Sequence, residues 1–315
     1  MTGKLFVDGK DVYTLYDVFV TDGGYNELVN FPPLKSLDSN NWAEEDGEEF
    51  DLSSLVLDSR EFNIKFACTD LFSRFGTFIN LLSDGAYHYF EFKDIDRPYN
   101  LRMTTQNALS LVSTAKSFTL RFADDFPLNS EEHVYQEPSS TINSLEGYEL
   151  DGRSLSDYGI TVLEGSLSEV LKSPAVKKNL LVNINSKNGA IYDGEYVQFQ
   201  TKDVKLNCLM RATSLKEFWR NYESFLYDLI RPKIEEPYER MLYVDETGYE
   251  YPCYYKSCSV TDFSPVGDIW FQFSLTLVFT SFRVSEEEFF LASEDGFLII
   301  TEDGEFAIDL STYVD

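Results

Sequence analysis

Residues 7–18 read VDGKDVYTLYDV and residues 150–160 read LDGRSLSDYGI. An apolar-Asp-Gly-basic opening, followed by a tyrosine and a β-branched residue, therefore occurs twice. The order continues beyond it. At an offset of 142, Tyr16 meets Tyr158, Val18 meets Ile160, Val20 meets Val162 and Gly23 meets Gly165. At the same offset Glu27 meets Glu169, Leu28 meets Val170, Pro32 meets Pro174 and Lys35 meets Lys177. One residue of slippage separates this register from the Asp8-Gly9 and Asp151-Gly152 pairs. Further on, Asp46-Gly47-Glu48 pairs with Asp193-Gly194-Glu195 after an insertion, and the offset returns at Phe62/Val204 and Ile64/Leu206. A chain written twice is restricted to a fold built twice, because each copy must bury the same apolar face. At 315 residues, two units of about 100–150 residues also match the size at which single cores stop growing.

The local pattern predicts the same elements in both copies. Phe62, Ile64, Phe66 and Cys68 alternate, as do Val204, Leu206, Cys208 and Met210, the period of a half-buried strand. Each strand is followed by helical spacing: Leu71, Phe75, Phe78 and Leu82 in the first copy, and Leu215, Phe218, Tyr222, Phe225 and Leu229 in the second. Thr69 or Asp70 is a candidate cap for the first helix, which Ser83-Asp84-Gly85 ends and Gly76 weakens. Ser214 and Glu217 form a capping-box pattern at the second, and Arg231-Pro232 stops it. A hairpin follows each helix, turning at Asp94 to Pro98 and at Asp245 to Gly248. Each copy closes on an apolar strand, Phe118-Leu120-Phe122 and Phe271-Phe273-Leu275-Leu277-Phe279.

The expected fold class is thus β-rich α+β, with two tandem β-barrel or sandwich units, each carrying one packed helix. The expected divisions are a first unit at 1–127, a polar linker or surface loop at 128–147, and a second unit at 148–284. A C-terminal acidic tail covers 285–315. That tail repeats SEDGFLII as TEDGEFAI, eight residues apart, which reads as a hairpin. It either pairs with a neighbouring chain or lies back on its own unit.

Composition removes several function classes. The 26 basic residues against 54 acidic ones leave a net charge of −28, which repels phosphate backbones and anionic lipid. No run approaches the ~18 apolar residues of a membrane span, so no membrane partner is expected. The N-terminus lacks an apolar signal core, and cytoplasmic synthesis is the expectation. Cys68, Cys208, Cys253 and Cys258 have no Cys-x-x-Cys spacing and read as buried free thiols. Cys253 and Cys258 lie an odd number apart, so a regular strand turns them to opposite faces.

Chemistry-bearing patterns are missing. His88 sits in the strand-like HYFEF and His133 in the linker, neither with a nucleophile beside it. There is no Gly-x-Ser-x-Gly, P-loop or Gly-x-Gly-x-x-Gly. The acidic runs at 44–49 and 286–288 lack calcium-loop spacing and read as solvated turns. Trp42, Trp219, Trp270 and the many tyrosines fit core positions better than a sugar platform. No catalytic, cofactor-binding or metal-binding residue is assigned, no cofactor is expected, and the chain is not expected to be an enzyme.

The openings VDGKDVYTLYDV and LDGRSLSDYGI, each leading into strands, one helix, a hairpin and a long apolar strand, resemble the tail-tube fold. The resemblance is to the distal tail and baseplate hub proteins of tailed phages and related contractile injection machines, and covers residue 5 to about 283. It implies a structural virion protein of the phage tail, made in the bacterial host cytoplasm, that joins copies of itself into a homo-oligomeric ring around a channel. Three copies with pseudo-sixfold symmetry would complete such a ring, and a hexamer is the alternative. Other tail or baseplate proteins are the implied partners. DNA or tape-measure protein would pass through without specific binding. A second unit that copies the first departs from the common distal-tail plan and favours a hub-like trimer. Two other readings stand beside this one: a tandem β-sandwich binding module for glycan or protein, as in adhesins, and a carboxylate-dependent glycoside hydrolase.

Overall fold

Alternation in the sequence becomes alternation of burial. In the strand Arg60–Cys68, Phe62, Ile64 and Phe66 point inward while Glu61 and Lys65 face solvent. The computed structural model describes residues 1–281, except 22, 43–44, 70–73, 112–115, 128–133, 178–180, 184, 187, 193–197 and 235–236. The expected C-terminal hairpin, His133, Leu71 and Asp193-Gly194-Glu195 lie outside the described residues.

The first half runs β1 (Leu5–Val7), β2 (Lys10–Asp11), α1 (Val12–Tyr16), β3 (Val18–Val20) and a 3-10 turn at Asn26–Val29. It continues through β4 (Ser39–Asn40), β5 (Glu49–Phe50), β6 (Arg60–Cys68), α2 (Phe75–Leu82), β7 (His88–Phe92), β8 (Arg97–Leu111) and β9 (Lys116–Asp124). The second half has β10 (Tyr148–Leu150), β11 (Arg153–Ser154), a 3-10 turn at Leu155–Tyr158, β12 (Ile160–Val162) and α3 (Ser166–Leu171). After it come β13 (Leu181–Asn183), β14 (Ala190–Tyr192), β15 (Lys202–Ala212), α4 (Leu215–Ile230), β16 (Arg240–Val244), β17 (Tyr249–Ser264) and β18 (Ile269–Phe279). The fold is β-rich α+β.

Two seven-stranded sheets carry the same strand order. One is β2-β1-β7-β8-β9-β6-β3 and the other β11-β10-β16-β17-β18-β15-β12. Both orders are linear, with short strands at each end. Registers correspond as well: Val18 faces Cys68 as Ile160 faces Met210, and His88 faces Leu101 as Arg240 faces Cys253. The loops between strands follow the same rule. The Lys35 amide donates to the Val56 carbonyl at 2.9 Å, and 142 residues later Lys177 donates to Gln198 at 2.7 Å. Asp58 donates to Pro33 as Gln200 donates to Ala175. In both sheets the long strand is bulged at one equivalent residue, Thr104 in β8 and Lys256 in β17.

That bulge corrects the expectation for the cysteines. The extra residue at Lys256 flips the side-chain alternation, so Cys253 and Cys258 are both buried on the core side of β17. The caps also differ from expectation. Helix α2 starts at Phe75 with no side-chain cap; the Thr69 hydroxyl donates to Asp17, and Asp70 lies outside the described residues. At α4, Ser214 Oγ accepts from the Glu217 amide at 3.2 Å as expected. The Glu217 carboxylate does not return to Ser214; it accepts from the Thr213 and Thr141 amides at 3.1 and 2.7 Å. The first hairpin turns earlier than expected, at 93–96, leaving Arg97 and Pro98 within β8 opposite Phe92 and Glu91.

Apolar side chains of both sheets merge into one buried cluster, and α4 lies within it. Tyr16 touches Phe78 at 5.4 Å and Tyr158 touches Phe225 at 5.1 Å, so the repeated tyrosine packs on the helix in each half.

Candidate assembly surfaces

Each Asp-Gly turn is a latch. Asp8 and Asp151 both have φ of 50°, and the following Gly9 and Gly152 have φ of 73° and 75°, the left-handed pair that a two-residue hairpin loop demands. The Asp8 carboxylate accepts from the Tyr89 amide at 3.0 Å and contacts His88 Nδ1 at 2.7 Å. The Asp151 carboxylate accepts from the Met241 amide and from Arg240 Nη1, both at 2.9 Å. His88 and Arg240 occupy equivalent strand positions, so the latch carries a titratable base in one half and a permanent cation in the other. Burial alone would lower the His88 pKa, but its hydrogen bonds to Asp8 and, at 3.1 Å, Asp84 outweigh that and raise it.

The halves meet through the segment that follows the first 3-10 turn. Phe31, buried, enters the second half and lies 4.5 Å from Tyr222, 5.7 Å from Phe273, 5.9 Å from Phe225 and 6.0 Å from Phe271. The Tyr255 hydroxyl donates to the Pro32 carbonyl at 2.7 Å, and the Leu34 amide donates to Lys256 O at 3.3 Å. From the other side Arg60 fixes the segment. Its guanidinium donates to the Leu28 carbonyl at 3.0 Å and to that of Asn30, and it pairs with Asp124 at 2.9 Å. The equivalent Lys202 reaches the equivalent carbonyl, that of Val170. Helix α4 completes the joint. Trp219 Nε1 donates to Ile95 O at 2.6 Å, and Arg97 stacks on that indole at 4.3 Å while pairing with Glu223 at 2.7 Å.

The described part of the stretch read as a linker, 134–147, is a strap along α4. Helix positions Glu217, Asn221, Ser224 and Asp228 form a buried polar stripe at i, i+4, i+7 and i+11. Each takes a partner from the strap. The Thr141 amide donates to Glu217 and the Ser139 amide to Asn221 Oδ1 at 3.0 Å. Ser224 Oγ donates to Gln136 O at 2.5 Å, and the Tyr135 hydroxyl donates to Asp228 at 3.0 Å. Asp228 also accepts from the buried Tyr158 hydroxyl at 2.6 Å. Burial and these carboxylate contacts push the Tyr135 phenol up to about 12. This stripe was missed in the sequence, where its signal is a polar periodicity beside the apolar one; the backbone groups that satisfy it leave no such signal.

Among the described residues no group of three His, Cys, Asp or Glu side chains converges to hold a metal ion. All four cysteines are buried, and burial raises the thiol pKa of Cys208, Cys253 and Cys258. Trp219 is a joint residue, whereas Trp42 is 51% exposed. A hollow of about 300 Å³ lies at the joint, lined by Glu27, Arg60 and Val260. Its charged side chains are already engaged, Arg60 with Asp124 and Glu27 with the Asn63 amide at 2.7 Å. Among the described residues no helix is long and apolar enough to cross a membrane.

No known protein family and no curated protein matches the chain. Among solved structures, a match is to the SPP1 Dit protein, described as a paradigm of the hub adsorption apparatus in phages infecting Gram-positive bacteria. It is 11% identical and covers 87% of this chain and 97% of that one, with a TM-score of 0.30. A superposition that loose places no residue of one chain on the other.

Proposed function

We propose that the chain is a structural component of a phage tail, a distal tail or baseplate hub protein whose copies close into a ring around a central channel. One observation carries the reading: a seven-stranded unit occurs twice in the same strand order, with a loop of one half seated in the core of the other. A surface that already joins unit to unit within a chain is suited to joining units between chains. The two halves, 1–127 and 148–284, are then fused copies of one ancestor. Three chains supply six units with pseudo-sixfold symmetry, and six chains are the alternative. The net charge of −28 keeps DNA mobile past such a ring, since carboxylates repel phosphate. Neighbouring tail proteins complete its partners, and the site of action is the virion tail after synthesis in the host cytoplasm.

Light scattering behind size exclusion tests this. A trimer of the 36.3 kDa chain has a mass of about 109 kDa and a hexamer about 218 kDa. A chain that stays monomeric at every concentration contradicts ring formation and favours a tandem binding module.

A further inference from the structure

The joint within the chain uses a donor loop from the first half and an acceptor edge from the second, yet each half owns both parts. The donor loop of the second half is the equivalent of the one that carries Phe31. Its place is fixed by backbone: Val176 bridges Phe199 as Leu34 bridges Leu57. The two loops differ in what covers them. Val29 is fully buried, while its counterpart Leu171, in α3, is 62% exposed. Phe31 and Pro32 are buried, while Ser173 is exposed and Pro174 only partly covered; Val176 is exposed as well. The acceptor edges show the converse. Strand β16 accompanies β17 only as far as Cys253, and the first-half loop then takes over at Tyr255 and Lys256. Strand β7 accompanies β8 only as far as Leu101. Beyond it, Met103 is half-covered where Tyr255 is buried, and Gln106 is exposed where Cys258 is buried.

We infer that these two faces bind each other between copies: the loop at 166–176 of one chain docks on the β8 edge of the next, at residues 102–106. The partner is a second copy of this chain, held head to tail. The inference rests on the reading of the chain as a ring former and supplies the faces that reading lacks. The donor loop's side chains suit the change of setting. Where Phe31 fills a gap among four rings of the second half, the first half has already closed the equivalent space with Phe75 against Phe118 at 4.6 Å. The small Ser173 enters without displacing them. A joint made without an aromatic anchor is weaker than the one within the chain, as befits a contact formed on assembly.

Equivalence names the contact to be trapped. Leu34 meets Lys256 within the chain, and their counterparts are Val176 and Thr104, the latter being the bulge residue of β8. Two single variants, Val176→Cys and Thr104→Cys, are purified separately and then mixed under mild oxidation. The native thiols are buried and contribute little background. A disulfide-linked dimer is expected in the mixture and in neither variant alone. Independently, Leu171→Glu is expected to weaken self-association at least tenfold while leaving the unfolding midpoint of the chain unchanged, because the side chain is exposed. A ring detected by light scattering with no dimer in the mixture overturns these docking faces and leaves the ring itself standing. A dimer formed by Val176→Cys alone overturns them too, since it marks a symmetric contact. Monomers throughout, with no cross-link, overturn both the faces and the ring.

Discussion

Replacing Phe31 with alanine removes a first-half side chain whose neighbours belong to the second half. The ring is 1% exposed and lies within 6.0 Å of four aromatic rings on α4 and β18. A buried Phe→Ala change costs about 3–5 kcal/mol, the larger values arising where walls cannot collapse into the space. These walls are held by pairing in β18 and by the helix, so the expected loss is toward the upper end, about 4 kcal/mol. That is a large share of the roughly 5–15 kcal/mol that stabilises a folded domain. Urea unfolding followed by tryptophan fluorescence measures the loss, since Trp219 packs at 5.2 Å on Tyr222, which itself lines the vacated site. Hydrogen exchange locates it. Amides of α4 and of the middle of β18 are expected to lose protection first, although the substitution lies in the other half. A loss below about 1 kcal/mol, or exchange that rises only in β6 to β9, refutes the claim that Phe31 is a core residue of the second half.

Three further outcomes follow from the same contacts. The His88 pKa is raised in the folded chain, so its stabilisation is complete below the unfolded value of about 6.5 and disappears as pH climbs through the folded one. The stability gap between the protein and His88→Gln is therefore expected to be present at pH 6 and to close in alkaline solution. The corresponding gap for Arg240→Gln should stay flat over the same range, and thermal melts across pH decide both. Asp228→Ala leaves the buried Tyr158 hydroxyl without its acceptor, a loss of about 1–3 kcal/mol, and should open the strap to proteolysis near Tyr135 before the chain unfolds. Cys68, Cys208, Cys253 and Cys258 are buried, so a thiol reagent should find none of the four rapidly in the native chain and all of them in denaturant.

What the amino-acid order discloses here is what local physics decides. Strand β15 and helix α4 were legible because Val204, Leu206, Cys208 and Met210 alternate and Phe218, Tyr222, Phe225 and Leu229 follow a helical stripe. The cap at Ser214 and the stop before Pro232 act within a few residues and were legible for the same reason. The parallel between the halves was legible at Tyr16 and Tyr158, each of which packs on a helix phenylalanine. Other features were hidden because their partners are distant. Nothing in Asn30-Phe31-Pro32-Pro33-Leu34 has a period, and its pocket is assembled from residues some 190 to 240 positions later. The strap was read as a linker because it is polar and irregular, yet its backbone groups are what the stripe on α4 needs. The bulge at Lys256 inverted the facing of Cys258, and a single inserted residue leaves no mark in a hydrophobic pattern.

The joint at Phe31 also orders events on the ribosome. When the first half has emerged, its loop carries Phe31 and Pro32 with nothing to cover them, because their pocket needs Phe271 and Phe273. Nearly the whole chain must be translated before that loop is sheltered, and contacts so far apart in sequence form slowly. For that interval the nascent polypeptide displays a sticky hook of its own making, one that a second nascent chain can catch as readily as its own C-terminal portion. Misassembly by exchange of halves is thus the failure this architecture must outrun.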